Sequence, residues 1–435
     1  MGSRPHPAPL TPSSPPPSPP PRTGLEAGEA ARLIVSHVQP LPAERRTLRD
    51  ALDLVSAEPV ISPIDLPPWD NSAMDGYACR ATDARAGAVL RVVESVAAGE
   101  QPARAIGPGE AARVFTGAPI PPGADGVIRQ EDVDAGTDRV TIRDARDAGK
   151  NVRPRGEDIK AGQTVLAAGV PLGPAQLGVL ASIAHEPVAV HRPPVVAFVA
   201  SGDEIVGLDR REDILAGRRI ATSNSYTLFG MIEETRGVPR DLGLTADRRD
   251  ALRGAFERVV KSGVDLLLTT AGVSVGEHDL VRSVLLEMGC EMKLWRVRIR
   301  PGGPLGFGML GDLPWIGLPG NPVSTMVTFE LFVRPAIRRL LGHARPYRRP
   351  IPVVVEERII LGPRLRHYLR VTVQQREDGS LGARLTGPQG SGLLTSMARA
   401  DALLIVPEDR GEVKAGEELP ALFLDFPRHT EEPEY

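Results

Sequence analysis

The sequence predicts a multidomain α/β-plus-β protein. Three observations lead there. Its 435 residues exceed what one hydrophobic core organises, so two to four domains are expected. From Pro193 to Leu341, apolar strand-like runs alternate with helical patterns, the signature of a mostly parallel sheet with right-handed crossovers. On either side of that region the chain reads as short β runs separated by Gly, Pro and Asp.

Met1 to Arg22 is largely Pro, Ser and Ala and reads as a disordered, polyproline-like tail. Between Gly24 and Val38, Ala27, Ala30, Ala31, Ile34 and Val38 recur at helical spacing. A second short helix is expected over Thr47 to Ala57, followed by an extended segment, VISPIDLPPWDNSAMDGYACR. Residues 86–148 carry VLRVVESV, AARVFTG, GVIRQEDV and RVTIRD, a small all-β module. A linking segment leads to a helix near Pro174 to Ile183. Then come a strand in PPVVAFVASGDEI, a helix over Ser223 to Arg236, a short strand before Leu244 and a helix over Arg248 to Lys261. A strand over Asp265 to Thr270, a helix over Leu280 to Met288, the segment LWRVRIR, a strand at LPWIGL and a long helix over Pro322 to Leu341 complete the α/β region. After Gly342, IPVVVEERII, HYLRVTVQQRE, ARLTG, ALLIVP and ALFLDF predict a small barrel or sandwich. The expected domains are a tail (1–23), a linking domain (24–62 with 150–192), a small β domain (63–149), an α/β domain (193–344) and a C-terminal β-barrel domain (345–427).

Composition narrows the function. The hydrophobic share is 41% and the formal net charge −3, which gives no reason to expect nucleic acid or an acidic membrane as partner. No apolar run of about 18 residues predicts a membrane span. Two distant cysteines suit a reducing, cytoplasmic setting. Any anion site must therefore be local, and LWRVRIRPGGPLGFG suggests one. Arg296, Arg298 and Arg300 stand at every second position, so a β-strand would put all three guanidinium groups on one face. A solvated strand edge is the plain alternative.

Loops at strand ends carry further candidates, since open α/β sheets bind ligands there. Gly202 and Glu204 lie in SGDEI. In GLPGNPVS, Pro319 and Gly320 precede Asn321, a good helix cap, then Pro322 and Ser324 in the first turn. Such an N-terminus offers free N–H groups to an oxyanion. An ordinary capped helix explains the same residues. TTAGVSVGEHD, with Gly272, Ser274 and Gly276, suits phosphate but is neither a P-loop nor a dinucleotide fingerprint. Glu204, Asp247 and Asp279 supply hard oxygen ligands. If they converge, Mg²⁺ bridging a phosphate is the expected ion. DNSAMDGYA, TGAPIP and RGEDI are polar clusters that turns alone would also explain.

In this order, PPWDNSAMDGYA, TGAPIPPGADGVI, NVRPRGEDI, SGDEI, AGVSVGEHD, LPGNPVS and PQGSGLLTSM resemble the molybdopterin molybdenumtransferases, relatives of the C-terminal part of gephyrin. The resemblance spans residues 67–397. It implies a central domain of the molybdopterin-binding type and an elongated homodimer of four-domain subunits. It also implies a reaction in which adenylylated molybdopterin, molybdate and Mg²⁺ give AMP and the molybdenum-loaded pterin, with transient contact to other cofactor-biosynthesis proteins. Among residues, it implies functional positions at Asp75, Thr116 and Asp158. Acidic positions follow at Glu204, Asp247 and Asp279, the last the best metal candidate, and molybdate positions at Ser324, Arg370 and Ser391. One departure stands out. The family's usual KPGKP is here Arg300-Pro301-Gly302-Gly303-Pro304, so the second lysine is missing at Gly303. Three other readings stay open: a paralogue that binds the pterin or another phosphorylated ligand with little insertion, a gephyrin-like scaffold, and an adenylyltransferase.

Overall fold

The computed structural model describes residues 20–270, 280–362 and 364–424. The chain divides into two compact units, residues 43–190 and residues 1–42 with 191–435.

In the first unit a five-stranded sheet runs in the order Gly126–Arg129, Gly76–Cys79, Glu110–Val114, Val89–Val96, Arg139–Thr141. Side chains alternate across it. Tyr77, Leu90, Ile128 and Val140 enter one core and Ala78, Val96, Ala112 and Val127 the other, so both faces are covered. The helix Pro174–Ser182 shares a third core with Ala51, Leu54 and Val60. The helix expected over Thr47 to Ala57 is instead a single turn. Ala51 N–H bonds Thr47 O and Leu54 N–H bonds Ala51 O, but Asp53 turns to φ 64° and gives its N–H to Leu172 O. Aspartate tolerates that left-handed conformation, and it ends the helix after one turn.

In the second unit a seven-stranded sheet has the order Arg22–Leu25, Glu291–Val297, Gly306–Leu310, Leu313–Leu318, Leu266–Thr270, Val195–Ser201, Val238–Thr245. Every neighbouring pair is parallel except those of Gly306–Leu310, which runs against both its neighbours. The predicted mostly parallel sheet is thus present with one reversed strand. Arg22 and Thr23, expected in the tail, lie in the edge strand. Ala197 and Val199 pack with Leu252 and Phe256 of the helix Arg249–Lys261 and with Trp315. Val196 and Phe198, between them in sequence, are also buried, as strands covered on both faces require. The helix Ala27–Ser36 buries Ala27, Ala30, Ala31 and Ile34, as their spacing predicts. The long helix over Pro322 to Leu341 contains a π turn, Phe329–Val333, between Pro322–Thr328 and Arg334–Leu340.

The C-terminal strands close a five-stranded barrel: Arg366–Gln375, Leu381–Leu385, Ile351–Val355, Glu418–Phe423, Ala402–Val406 and back to the first. Closure depends on the ten-residue strand Arg366–Gln375. Residues 367–371 pair with Ala402–Val406, and residues 371–375 with Leu381–Leu385. Its first two residues also receive Ile299–Arg300 as a parallel neighbour. No helix among the described residues is long and apolar enough to cross a membrane.

Candidate functional site

Chain order in the parallel part of the sheet reverses between Val195–Ser201 and Leu266–Thr270. One successor strand, Val238–Thr245, lies to one side and Leu313–Leu318 to the other. Ligands of open α/β sheets sit outside strand ends at such a point. A cleft of about 430 Å³ lies there, lined by Ala200, Thr270, Glu204, residues 222–224 and the turn Pro319 to Pro322. A second cavity, about 650 Å³, shares Pro304 and Asn321 with it. Arg296, Arg298, Arg300, Ser324 and Ser391 line this one.

The arginine face predicted from period-two spacing is present, though the strand is not continuous. Glu291–Val297 belongs to the seven-stranded sheet and Ile299–Arg300 to the barrel, with Arg296 at φ 73°. Val297 and Ile299 are buried while all three arginines are exposed. Arg298 is shared with Glu26 and Glu408, each at 3.3 Å. Among the described residues no carboxylate lies within 4 Å of Arg296 or Arg300. Gly302, at φ 96°, is forced: a Cβ there would fall 2.5 Å from Thr328 Cγ2. At Gly303 a Cβ would meet the carbonyl oxygens of Ile299 and Val297 at 3.3 and 3.4 Å, tight but not blocked.

Asn321 does not cap the helix with its side chain, contrary to expectation. Its amide donates instead to Ser391 Oγ at 3.0 Å, and Ser391 O accepts the N–H of Val323 at 3.1 Å. The first turn is thus held by a loop of the C-terminal domain. Ser324 is buried in that turn, and Pro319 O accepts from Thr325 Oγ1 at 2.6 Å. Asn224 Nδ2 donates to Gly320 O at 2.8 Å, tying the helix Ser223–Glu234 to the same turn.

Arg370 supports the Ser391 loop from below. It is fully buried; Nη2 donates to Gly390 O at 3.0 Å, Nε to Ser396 Oγ at 3.1 Å, and its backbone N–H to Gln389 Oε1 at 2.8 Å. Among the described residues no carboxylate pairs with it, and Nη1 has no hydrogen-bond partner. Burial pushes its pKa down to about 10. A buried cation with no counter-charge and an unused donor is costly, and an anion relieves that cost. Arg370 lines a third cavity, about 400 Å³, which shares Arg300, Pro301, Gln389 and Gly390 with the arginine cavity.

Of the other predicted residues, Asp75 and Thr116 meet in the first unit. The Thr116 N–H and hydroxyl both donate to Asp75 Oδ1, at 2.7 and 2.8 Å. These bonds hold the Asp75 carboxyl below its usual range. Asp158 lies in the same unit, exposed on a separate turn. Gly202, at φ 144°, sits under the Glu204 carboxylate, whose Oε2 would lie 3.0 Å from a Cβ there. Glu204 lines the 430 Å³ cleft, whereas Asp247 is exposed before the helix Arg249–Lys261 and lines none of the cavities described above. Gly272, Ser274, Gly276 and Asp279 lie outside the described residues. Among the described residues no three His, Cys, Asp or Glu side chains gather as a metal site. Sequence reasoning missed Thr222, Ser223 and Asn224. The polar run TSNS at a helix start was the available signal.

Residues 25–184 match the MoeA N-terminal region (domains I and II), residues 197–339 a probable molybdopterin binding domain, and residues 352–424 the MoeA C-terminal region (domain IV). A molybdopterin molybdenumtransferase of Haemophilus influenzae is 35% identical, over 87% of this chain and 93% of its own length. This chain belongs to the molybdopterin molybdenumtransferase family. A family member from Nostoc is 33% identical over 96% of both chains. The crystal structure of the molybdopterin biosynthesis protein MoeA from Pyrococcus horikoshii superposes with a TM-score of 0.78 at 28% identity, covering 92% of this chain and 100% of that one. Within this molybdenumtransferase fold, the RPGGP departure at 300–304 falls on the wall of the arginine cavity.

Proposed function

We propose that the protein inserts molybdenum into molybdopterin, taking the adenylylated pterin and molybdate with Mg²⁺ and releasing AMP, as a cytoplasmic homodimer. The observation that carries this reading is the arginine cavity: Arg296 and Arg300 without carboxylate partners among the described residues, beside Ser324 and Ser391 and backed by the buried Arg370. Fixed donors and cations of that kind favour a tetrahedral oxyanion, and they are in place before it arrives.

In this reading Arg300, Ser324, Arg370 and Ser391 hold molybdate, and Arg370 also fixes the Ser391 loop through Gly390 O. The PGGP turn and the Pro319 to Asn321 turn confine the oxyanion where the two cavities meet. In the first unit, Thr116 holds Asp75 ionised and oriented. Mg²⁺ would polarise a phosphoryl group when bound. Of its expected ligands Glu204 lines the 430 Å³ cleft, Asp247 lines none of the cavities described above and Asp279 lies outside the described residues.

The test is purified protein with adenylylated molybdopterin, Mg²⁺ and molybdate. Release of AMP with formation of active cofactor is the expected result. Ligand binding without either product would overturn the insertase reading in favour of a pterin-binding paralogue.

A further inference from the structure

Asn321 holds the capping position of the helix Pro322–Thr328 with an extended backbone, φ −66° and ψ 127°, yet its side chain makes no capping bond. Asparagine is among the best residues for that bond, so leaving it unmade forgoes stability. Local rules broken in this way mark groups that serve something else. The amide goes to Ser391 Oγ, and both residues line the 650 Å³ arginine cavity with Ser324 and Arg300. The Ser391 backbone is fixed without that bond. Ser391 O accepts the Val323 N–H at 3.1 Å, and the preceding carbonyl, Gly390 O, accepts from Arg370 Nη2 at 3.0 Å. Only the direction of the Ser391 hydroxyl is left to set.

A hydroxyl has one proton to give and two lone pairs to offer. Asn321 Nδ2, 3.0 Å from Ser391 Oγ, is a donor and occupies a lone pair. No other group among the described residues bonds Ser391 Oγ, so the proton has no acceptor among them. We infer that Asn321 is a positioning residue: it gives up its cap to hold Ser391 Oγ as an acceptor, which leaves the hydroxyl proton for the oxyanion in the arginine cavity. The inference rests on the proposed function and adds what sets the polarity of one of its anion donors. Without the amide the hydroxyl turns among its staggered positions and closes its proton on nearby backbone, as serine side chains do, so an arriving anion must first reorient it. An amide turned the other way, with Oδ1 towards Ser391, would consume the proton and present a lone pair to the cavity.

The test is a double-mutant cycle on the full-length protein, read by calorimetric titration with inorganic molybdate and by melting temperature on the same preparations. Asn321→Ser is the decisive variant. Serine caps a helix as well as asparagine but is too short to make the contact with Ser391, so the fold is kept and the tie is cut. Ser391→Ala removes the hydroxyl itself. The expected outcome is that Ser391→Ala weakens molybdate about tenfold and Asn321→Ser about threefold to tenfold, with melting temperature unchanged in Asn321→Ser. The double variant binds no more weakly than Ser391→Ala alone. A merely structural role for Asn321 would instead lower the melting temperature and persist in the Ser391→Ala background. Losses that add in the double variant overturn the inference and leave the molybdate site standing. So does an affinity that is unchanged or increased in Asn321→Ser while Ser391→Ala is weak. Unchanged affinity in Ser391→Ala overturns both the inference and the place of Ser391 in the proposed site.

Discussion

Arg370→Met tests whether the buried charge serves an anion or the fold. The substitution keeps the length and apolar stem of the side chain and removes the guanidinium. Two bonds are lost, to Gly390 O and Ser396 Oγ. At about 1.5–3 kcal/mol for each charge-assisted bond, that is roughly 3–6 kcal/mol. Against it stands relief of desolvation. A pKa lowered from 12.5 to about 10 corresponds to roughly 3 kcal/mol held against the charged form in the native state. Ser396 Oγ keeps its own bond to Leu393 O. The net destabilisation is therefore small, about 0–3 kcal/mol, a shift of a few degrees in melting temperature at most. Anion affinity behaves differently. If Nη1 supplies a charge-assisted bond to the bound oxyanion, its loss costs about 1.5–3 kcal/mol, or roughly 10- to 150-fold in the molybdate dissociation constant. The assays are calorimetric titration with molybdate and differential scanning calorimetry on the same preparation. A variant that melts near wild type yet binds molybdate with unchanged affinity refutes the reasoning.

Three further expectations follow from the geometry. Gly303→Lys restores the family's second lysine on the wall of the arginine cavity. Tighter molybdate binding is expected, by about threefold to tenfold, at a stability cost of about 1 kcal/mol because its Cβ crowds Ile299 O and Val297 O; unchanged affinity in a titration would remove this position from the anion site. Glu330→Ala strips the buried carboxylate that accepts from Arg334 Nε at 2.8 Å and Arg348 Nε at 2.9 Å, leaving Arg334 with Glu234 as its one carboxylate among the described residues. A loss of about 3–5 kcal/mol is expected in denaturant titrations, and under about 1 kcal/mol would mean the network is slack. The Asp75 carboxyl has a lowered pKa, so its contact with Thr116 stabilises fully above the ordinary value of 3.8 and is lost as pH falls below it. Melting temperature against pH should therefore show a wild-type advantage over Asp75→Asn that is constant above about pH 5 and shrinks towards pH 3; an advantage that grows on acidification would contradict the assignment.

Period made the α/β region legible. Ala27, Ala30, Ala31 and Ile34 mark one buried helix stripe, and strands such as Val195–Ser201 are apolar on both faces because helices cover both. Gly306–Leu310 was not foreseen, because two glycines in five residues carry little strand signal. They are instead what lets this strand pack: a Cβ at Gly306 would lie 2.5 Å from the Trp315 ring. Thr47 to Ala57 carried a helical pattern that one left-handed aspartate ended. At the site, spacing alone put Arg296, Arg298 and Arg300 on one face. It could not say which were neutralised, since Glu26 and Glu408 reach Arg298 from far along the chain. Asn321 looked like a cap from its neighbours in sequence, but a serine 70 residues away has taken its amide. Asn224 stayed hidden for the same reason: its amide donates to Gly320 O, 96 residues away in sequence.

The segment Glu291 to Arg300 leaves one sheet and enters another within three residues. Its guanidinium groups are thus anchored at one end to the α/β layer and at the other to the barrel. The distance between Arg296 and Arg300 is a gauge of how the barrel is seated on the sheet. A substitution in the barrel that rotated this joint would move Arg300 relative to Arg296 with every arginine left in place. Identical residues on the cavity wall therefore do not by themselves fix the shape of that wall.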